Sequence, residues 1–254
     1  MIRKYIAASV CLLCIILSTG AMEKDDKKGI VTYTDGTVKK RNIEVDVWKD
    51  APINTDVLSG DKVRTYEKSR AEIDLASLDV IRLAPKTIID VLRLYEETKE
   101  KKAQTKIKLN TGEVWASVHD VEMDTEFDIS APVGAAAITG TVLRLKVDED
   151  STAQLKVYKG EVKITTVPEK TDIKAKKIQP LKKPHQVEGP TEVAPPKEVS
   201  LEEWVYIVKS MQQITFDKKG KILSIGNFSS EDKGEKSSWV KWNFKRDSLR
   251  TQRL

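Results

Sequence analysis

The chain has 254 residues, enough for one fair-sized domain and a smaller one with a usable core. Charged residues make up 33% and hydrophobic ones 39%, the balance of a chain with well-solvated faces. Aromatics at 6% leave the core to Val, Ile, Leu and Ala. The formal charge is +5, and it falls to +3 once Arg3 and Lys4 are set aside, which is too balanced to argue for nucleic acid.

Arg3 and Lys4 precede an apolar run from Ile6 to Leu17, followed by Ser18, Thr19, Gly20 and Ala21. This is the pattern of a secretory signal peptide over residues 1–21, and the run is too short to span a bilayer. Leu13 stands where a small residue would precede a lipid-modified Cys14. Cys11 and Cys14 are the only cysteines, so the mature chain is expected to hold no disulfide and no thiolate metal ligand. The resulting expectation is an exported protein, periplasmic or extracellular, with no stable membrane span.

From Gly29 to Thr166 short runs of β-branched and alternating residues are separated by turn signals. Gly29 to Tyr33 opens the series and Asp35-Gly36 turns it. Val57, Leu58 and Val63 flank Ser59-Gly60-Asp61; Ala71 to Leu75 and Val80 to Leu83 follow, then Thr87 to Leu94 after Pro85. Ile107 to Leu109 is turned by Asn110-Thr111-Gly112 into Val114 to Val118. Phe127 and Ile129 alternate with acids. The small residues from Ala131 through Gly140-Thr141, feeding the alternating segment to Val147, suggest a tight crossing between chain segments. Ala153, Leu155 and Val157 lead through Lys159-Gly160 to Val162 and Ile164. No helical periodicity interrupts this region. The expected fold is mainly β, a sandwich or solenoid-like body of strands of four to eight residues.

Several pieces of this region, in order, resemble the FecR domain family. Gly60-Asp61-Lys62-Val63-Arg64-Thr65 is similar to its Gly-Asp-x-apolar-x-Thr element, and Ala71 to Leu75 with Ile81 to Pro85 to the strand pair that follows. Gly112-Glu113-Val114, Gly140-Thr141 and Tyr158-Lys159-Gly160-Glu161-Val162 complete the series. The signature positions are thus Gly60, Asp61, Thr65, Pro85, Gly112, Val114, Gly140, Thr141, Gly160 and Val162. The resemblance covers residues 29–166. Thr139 departs from it, because the family often places an arginine before Gly-Thr. Family members named for iron-transport regulators hold a sigma factor through a cytoplasmic segment. Here only Met1 to Lys4 precede the apolar run, so the resemblance implies a free-standing exported domain rather than a sigma regulator.

Val167 to Ser200 carries six prolines and seven lysines, the composition of an extended linker. Ser200-Leu201-Glu202-Glu203 reads as a capping box, and Leu201, Trp204, Val205, Val208 and Met211 fall at helical spacing. A helix is therefore expected over 201–213. Strands are expected at 214–216 and 221–225 around the turn Asp217 to Gly220, and at 239–245, where Val240, Trp242 and Phe244 alternate with polar residues. One helix and about three strands make a small α+β unit over 201–254.

His119 and His185 are the only histidines, and no nucleophile turn accompanies either. Asp148 to Thr152 lacks the glycine and terminal Glu of a calcium loop and reads as a hairpin tip. No catalytic, cofactor or metal motif is present. The expected activity is non-enzymatic binding or scaffolding in the cell envelope, through protein contacts of the β body. The alternative is an anionic polysaccharide module using the basic, aromatic tail, with Trp239, Lys241 and Arg246 as its candidate surface.

Overall fold

The computed structural model of the chain describes residues 28–75, 79–97, 103–119, 125–166 and 205–251. The expected signal segment, the 167–200 linker, the capping box and His185 lie outside them. Fifteen strands and one α-helix are described. In chain order these are β1 (Gly29–Asp35), β2 (Val38–Asn42), β3 (Lys49–Asp50), β4 (Asp56–Val57), β5 (Asp61–Thr65) and β6 (Arg70–Asp74). Next come β7 (Val80–Leu83), β8 (Ile88–Glu97), β9 (Ala103–Ser117), β10 (Thr125–Ala131), β11 (Gly134–Val147) and β12 (Ala153–Thr166). The last are β13 (Val205–Lys209), β14 (Gln212–Phe216), β15 (Ile222–Asn227) and α1 (Ser238–Thr251).

The strand pairings resolve into two layers. The first runs β3-β2-β5-β8, then the opening half of β9, β10, the opening half of β11, the closing half of β12, and β13. The second runs β4-β1-β6-β7, then the closing halves of β9 and β11, the opening half of β12, β14 and β15. All the described pairs are antiparallel except β9–β10. Side chains alternate between faces along each strand, so each layer turns one apolar face inward. Val63, Ile89, Ile107, Leu109, Ile129 and Ile138 from the first layer meet Val31, Ile73, Ile81, Leu143, Leu155 and Val157 from the second in a single core.

The strands β9, β11 and β12 are 15, 14 and 14 residues long, well beyond the four to eight expected. They are long because glycine in a left-handed conformation lets a strand bend from one layer into the other without ending. Gly112, Gly140 and Gly160 mark those bends, at φ of 94°, 57° and 88°. Asn110-Thr111-Gly112 and Lys159-Gly160 are thus corners within strands, not turns between them.

Two expectations for the C-terminal region are overturned. The described part of the expected 201–213 helix forms β13 and the start of β14. The pattern of Val208 buried beside Ile207 exposed has the period of a strand, Val, Tyr and Ile favour that state, and the edge of β12 supplies the hydrogen bonds. Conversely, 239–245 is helical. The residues it buries are Trp239, Val240 and Asn243, a helical stripe rather than the alternation of Val240, Trp242 and Phe244. The region still contains one helix and three strands, with their places in the sequence exchanged. These strands are continuous with the main sheet rather than a separate layer. Thr165 pairs with Val205, at the edge of one sheet.

Candidate functional site

Six of the ten positions that carry the resemblance, Thr65, Pro85, Gly112, Gly140, Thr141 and Gly160, lie along the two rims where the chain passes between layers. Thr65, 2% exposed, donates from Oγ1 to the Ala84 carbonyl at 2.5 Å and accepts from the Thr87 amide at 3.0 Å. Pro85 lies in the turn between them. Thr87 in turn donates to the Glu113 carbonyl at 3.1 Å and accepts its amide at 3.0 Å. Its Oγ1 fills the space that a Cβ on Gly112 would take. The other rim repeats the device. The Thr141 hydroxyl donates to the Glu161 carbonyl at 3.0 Å, and a Cβ on Gly160 would fall 2.6 Å from the Gly140 carbonyl oxygen and 2.7 Å from Thr141 Oγ1. Each rim is a buried hydroxyl lodged in a glycine notch, satisfying backbone groups where the ladder breaks. Gly60 turns β4 into β5, and the Asp61 carboxylate accepts from the Leu58 amide at 2.9 Å and from Lys40 Nζ at 3.0 Å. Val114 and Val162 point into the core.

The other concentration of chemistry is the outer face of the second layer, which α1 covers. Trp115, fully buried, stacks on Tyr158 at 4.5 Å and meets Phe244 edge-on at 5.1 Å. Trp239 and Trp242 stack on each other at 5.4 Å. Among these rings lies a network of charges. Arg82, 0% exposed between the apolar Ile81 and Leu83, pairs with Glu72 at 2.5 Å and with Asp247 at 2.6 Å. Arg246 holds both oxygens of Glu72, at 2.7 and 2.6 Å. Arg250 reaches Asp74 at 2.8 Å, and Trp115 Nε1 donates to Asp247 at 3.0 Å. A second cluster lies under the segment before α1, where buried Glu235 accepts from Lys156 at 2.8 Å, Tyr158 at 2.6 Å and Arg144 at 3.1 Å.

Burial would raise the Glu72 carboxyl, but the guanidiniums of Arg246 and Arg82 outweigh it and hold the group down at about 2. Glu113 moves the other way, raised by burial that Arg144 and Lys146 only partly offset. Asp79 is raised by burial as well, against hydrogen bonds from the His119 amide and the Tyr95 hydroxyl. A cleft of about 310 Å³ opens beside the last turn of α1, lined by Ser117, His119, Lys159, Asp247, Arg250 and Thr251. Asp247 is bound to Arg82 and Trp115, so the residues of the cleft do not assemble a Ser-His-Asp relay. Among the described residues no group of three or more His, Cys, Asp and Glu is placed to hold a metal ion.

The three tail residues expected at a surface are distributed differently. Trp239 is 9% exposed and packs against Trp115, Val240 and Ala84. Arg246 is bound to Glu72 and lies over the Tyr33 and Trp242 rings. Lys241 alone is exposed. Reasoning from sequence missed Glu72, Arg82, Glu235 and Asp247. A sign of the first pair was present, since an arginine inside the run Val80-Ile81-Arg82-Leu83 requires a buried counter-charge or an outward face. Asp247 and Arg250, three residues apart, carried the matching helical spacing.

Residues 61–163 match the family model described as FecR protein. That span contains every signature position except Gly60, which lies one residue before it. Two crystal structures of a candidate anti-sigma factor from Parabacteroides distasonis align with 67% of this chain and 61% of theirs, at 14% identity and TM-scores of 0.45 and 0.46. This chain therefore spans less than two thirds of that protein. No curated protein matches it. Among the described residues no helix is long and apolar enough to cross a membrane. From β5 through β12 this chain resembles the FecR family, and six of the positions that carry the resemblance shape the two rims.

Proposed function

We propose that this is an exported, non-enzymatic binding protein of the bacterial cell envelope that engages another protein through the open end of its β body. Export rests on the basic start, short apolar run and small residues of the first 21 positions. The reading of protein contact rests chiefly on β15. This strand ends the second layer, pairs only with β14 among the described strands, and leaves Leu223 60% and Ile225 57% exposed. Ile225 pairs with Ile214, which is fully buried, so Ile225 belongs to the core-facing side of a layer that extends one strand beyond its opposite. An open edge with apolar side chains and unpaired backbone groups suits the addition of a partner's strand.

The decisive experiment captures envelope proteins with the mature full-length chain and with Leu223→Lys/Ile225→Lys. A specific partner held by the first and lost by the second supports the reading; equal capture by both overturns it. N-terminal sequencing of the mature protein tests export, and material that begins at Met1 would refute it.

A further inference from the structure

Among the described residues no helix lies over the outer face of the first layer, and its charges are arranged unusually. The register of β2 against β5 sets Lys39 directly opposite Arg64, and Arg41 directly opposite Lys62. Like charges across a ladder repel, and here two such pairs adjoin in one block. The acids nearby do not cancel it. Lys39 is met by Asp50 and Arg41 by Asp46, carboxylates that are 80% and 90% exposed, and Lys62 by Asp90 at 3.1 Å. Arg64 has no carboxylate among the described residues. Its guanidinium lies 4.7 Å from the Trp48 ring centre and 4.2 Å from that of Tyr66, and it donates to the Tyr66 hydroxyl. Arg41 lies 5.1 Å from the same Trp48 ring. Nε of both arginines is buried and without a partner. The result is a ladder of guanidinium and ring on the sheet, with two cations beside it.

We propose that this ladder binds an anionic polysaccharide, the guanidiniums taking carboxylate or phosphate groups while the rings of Trp48 and Tyr66 meet sugar C–H faces. Ring stacking fixes the guanidinium planes in advance, which suits bidentate contact with planar acid groups. An acidic peptide strand fits less well. The backbone groups of β2 and β5 are already paired with each other, with β3 and with β8, so only side chains are on offer. An anionic membrane fits less well too, because Glu44 and Asp46 alternate with the exposed Ile43, Val45 and Val47 at the adjoining tip and would be pressed against lipid phosphates. This surface is independent of the β15 edge, which ends the other layer at the opposite end of the strand order. Either assignment can fail while the other stands.

The test uses the mature full-length chain and measures binding to polygalacturonate and to poly(glycerol phosphate), which separate carboxylate from phosphate. Neutral dextran, poly-glutamate and phosphatidylglycerol vesicles are the comparison ligands. Binding to one of the two acidic polymers is expected, weakening as salt rises. It should fall by at least about 10-fold in Arg41→Gln/Arg64→Gln, where two charge-assisted contacts are lost. The charge-matched Lys233→Gln/Lys245→Gln, just before and on α1, should stay within about 2-fold of the parent, as expected for remote surface charges. Should the arginine variant fail to fold by circular dichroism, Lys39→Gln/Lys62→Gln reads the same block. Equal loss in the ladder and α1 variants would reduce the effect to net charge and overturn the proposal. Tighter binding to poly-glutamate or vesicles than to either glycan polymer, or no binding to either polymer, would overturn it as well.

Discussion

The two outer faces of the sandwich use their charges in opposite ways. On the second layer, Arg82, Glu72, Arg246 and Asp247 are drawn under α1 and neutralise one another at hydrogen-bond distance, among aromatic rings. On the first layer, Lys39, Arg41, Lys62 and Arg64 stand side by side on the open sheet, the two arginines over rings, with three acids for four cations. Burial explains the difference. A charge taken out of water must be paired, so each guanidinium of the covered face meets a carboxylate, although Arg82 Nη2 is buried without a hydrogen-bond partner. A face left in water can keep like charges together, at a modest cost in stability. The covered face is therefore where stability is sensitive to a single change, and the bare face is where a charge can be removed with little effect on folding.

Deleting one partner beneath the helix gives the largest expected effect. Glu72→Gln leaves Arg82, with no exposed side-chain surface, and Arg246 short of a carboxylate. Breaking a buried pair in this way costs about 3–5 kcal/mol. Asp50→Asn on the bare face, whose partner Lys39 is solvated, should cost no more than about 1 kcal/mol. Urea unfolding of the two variants measures the contrast; similar losses would mean that α1 does not seal its charges from water.

Glycine at the rims comes next. Gly160→Ala would place a methyl group 2.6 Å from the Gly140 carbonyl oxygen, at a φ of 88° that L-residues avoid. A cost of about 2 kcal/mol or more is expected, read as a lowered denaturation midpoint at unchanged slope.

The covered face also sets an acid limit. Glu72 titrates near 2 in the folded protein, below the roughly 4.3 of a free glutamate. Its folded-state value is depressed, so the stability it contributes is full above the unfolded value and is lost as pH falls from about 4 toward 2. The parent should lose stability across that window by more than Glu72→Gln does. Parallel curves for the two would show that the arginines do not favour the charged carboxylate.

Much of this was legible in the sequence, for identifiable reasons. The β body was legible because alternation and turn glycines are local signals, and the rim positions because glycine and hydroxyl residues recur there in a fixed order. The layer crossings within strands were not, since Gly112 and Gly160 look the same in a turn as in a bend. The exchange of helix and strand after residue 200 has a similar cause. Val205-Tyr206-Ile207-Val208 fits either period over so few residues, and the free edge of β12 decided it. The charge network escaped altogether, because Glu72 and Arg246 are 174 residues apart and only the placement of α1 joins them.

The smallest expected effect compares the rims themselves. β13 and β14 follow β12 across both layers as one bent strand, and their corner falls at Met211, with φ of 61°. The Met211 amide donates to the Val157 carbonyl at 2.7 Å, in the same row of corners as Gly140 and Gly160. A left-handed conformation costs a non-glycine residue about 1–2 kcal/mol. Met211→Gly removes that cost but adds freedom to the unfolded chain worth about 0.4–1 kcal/mol, and a side chain already 39% exposed surrenders little packing. The net expectation is a gain of between 0 and about 1 kcal/mol, opposite in sign to Gly160→Ala one strand away. A melting temperature several degrees lower would mean that the methionine side chain, not the backbone angle, holds this corner.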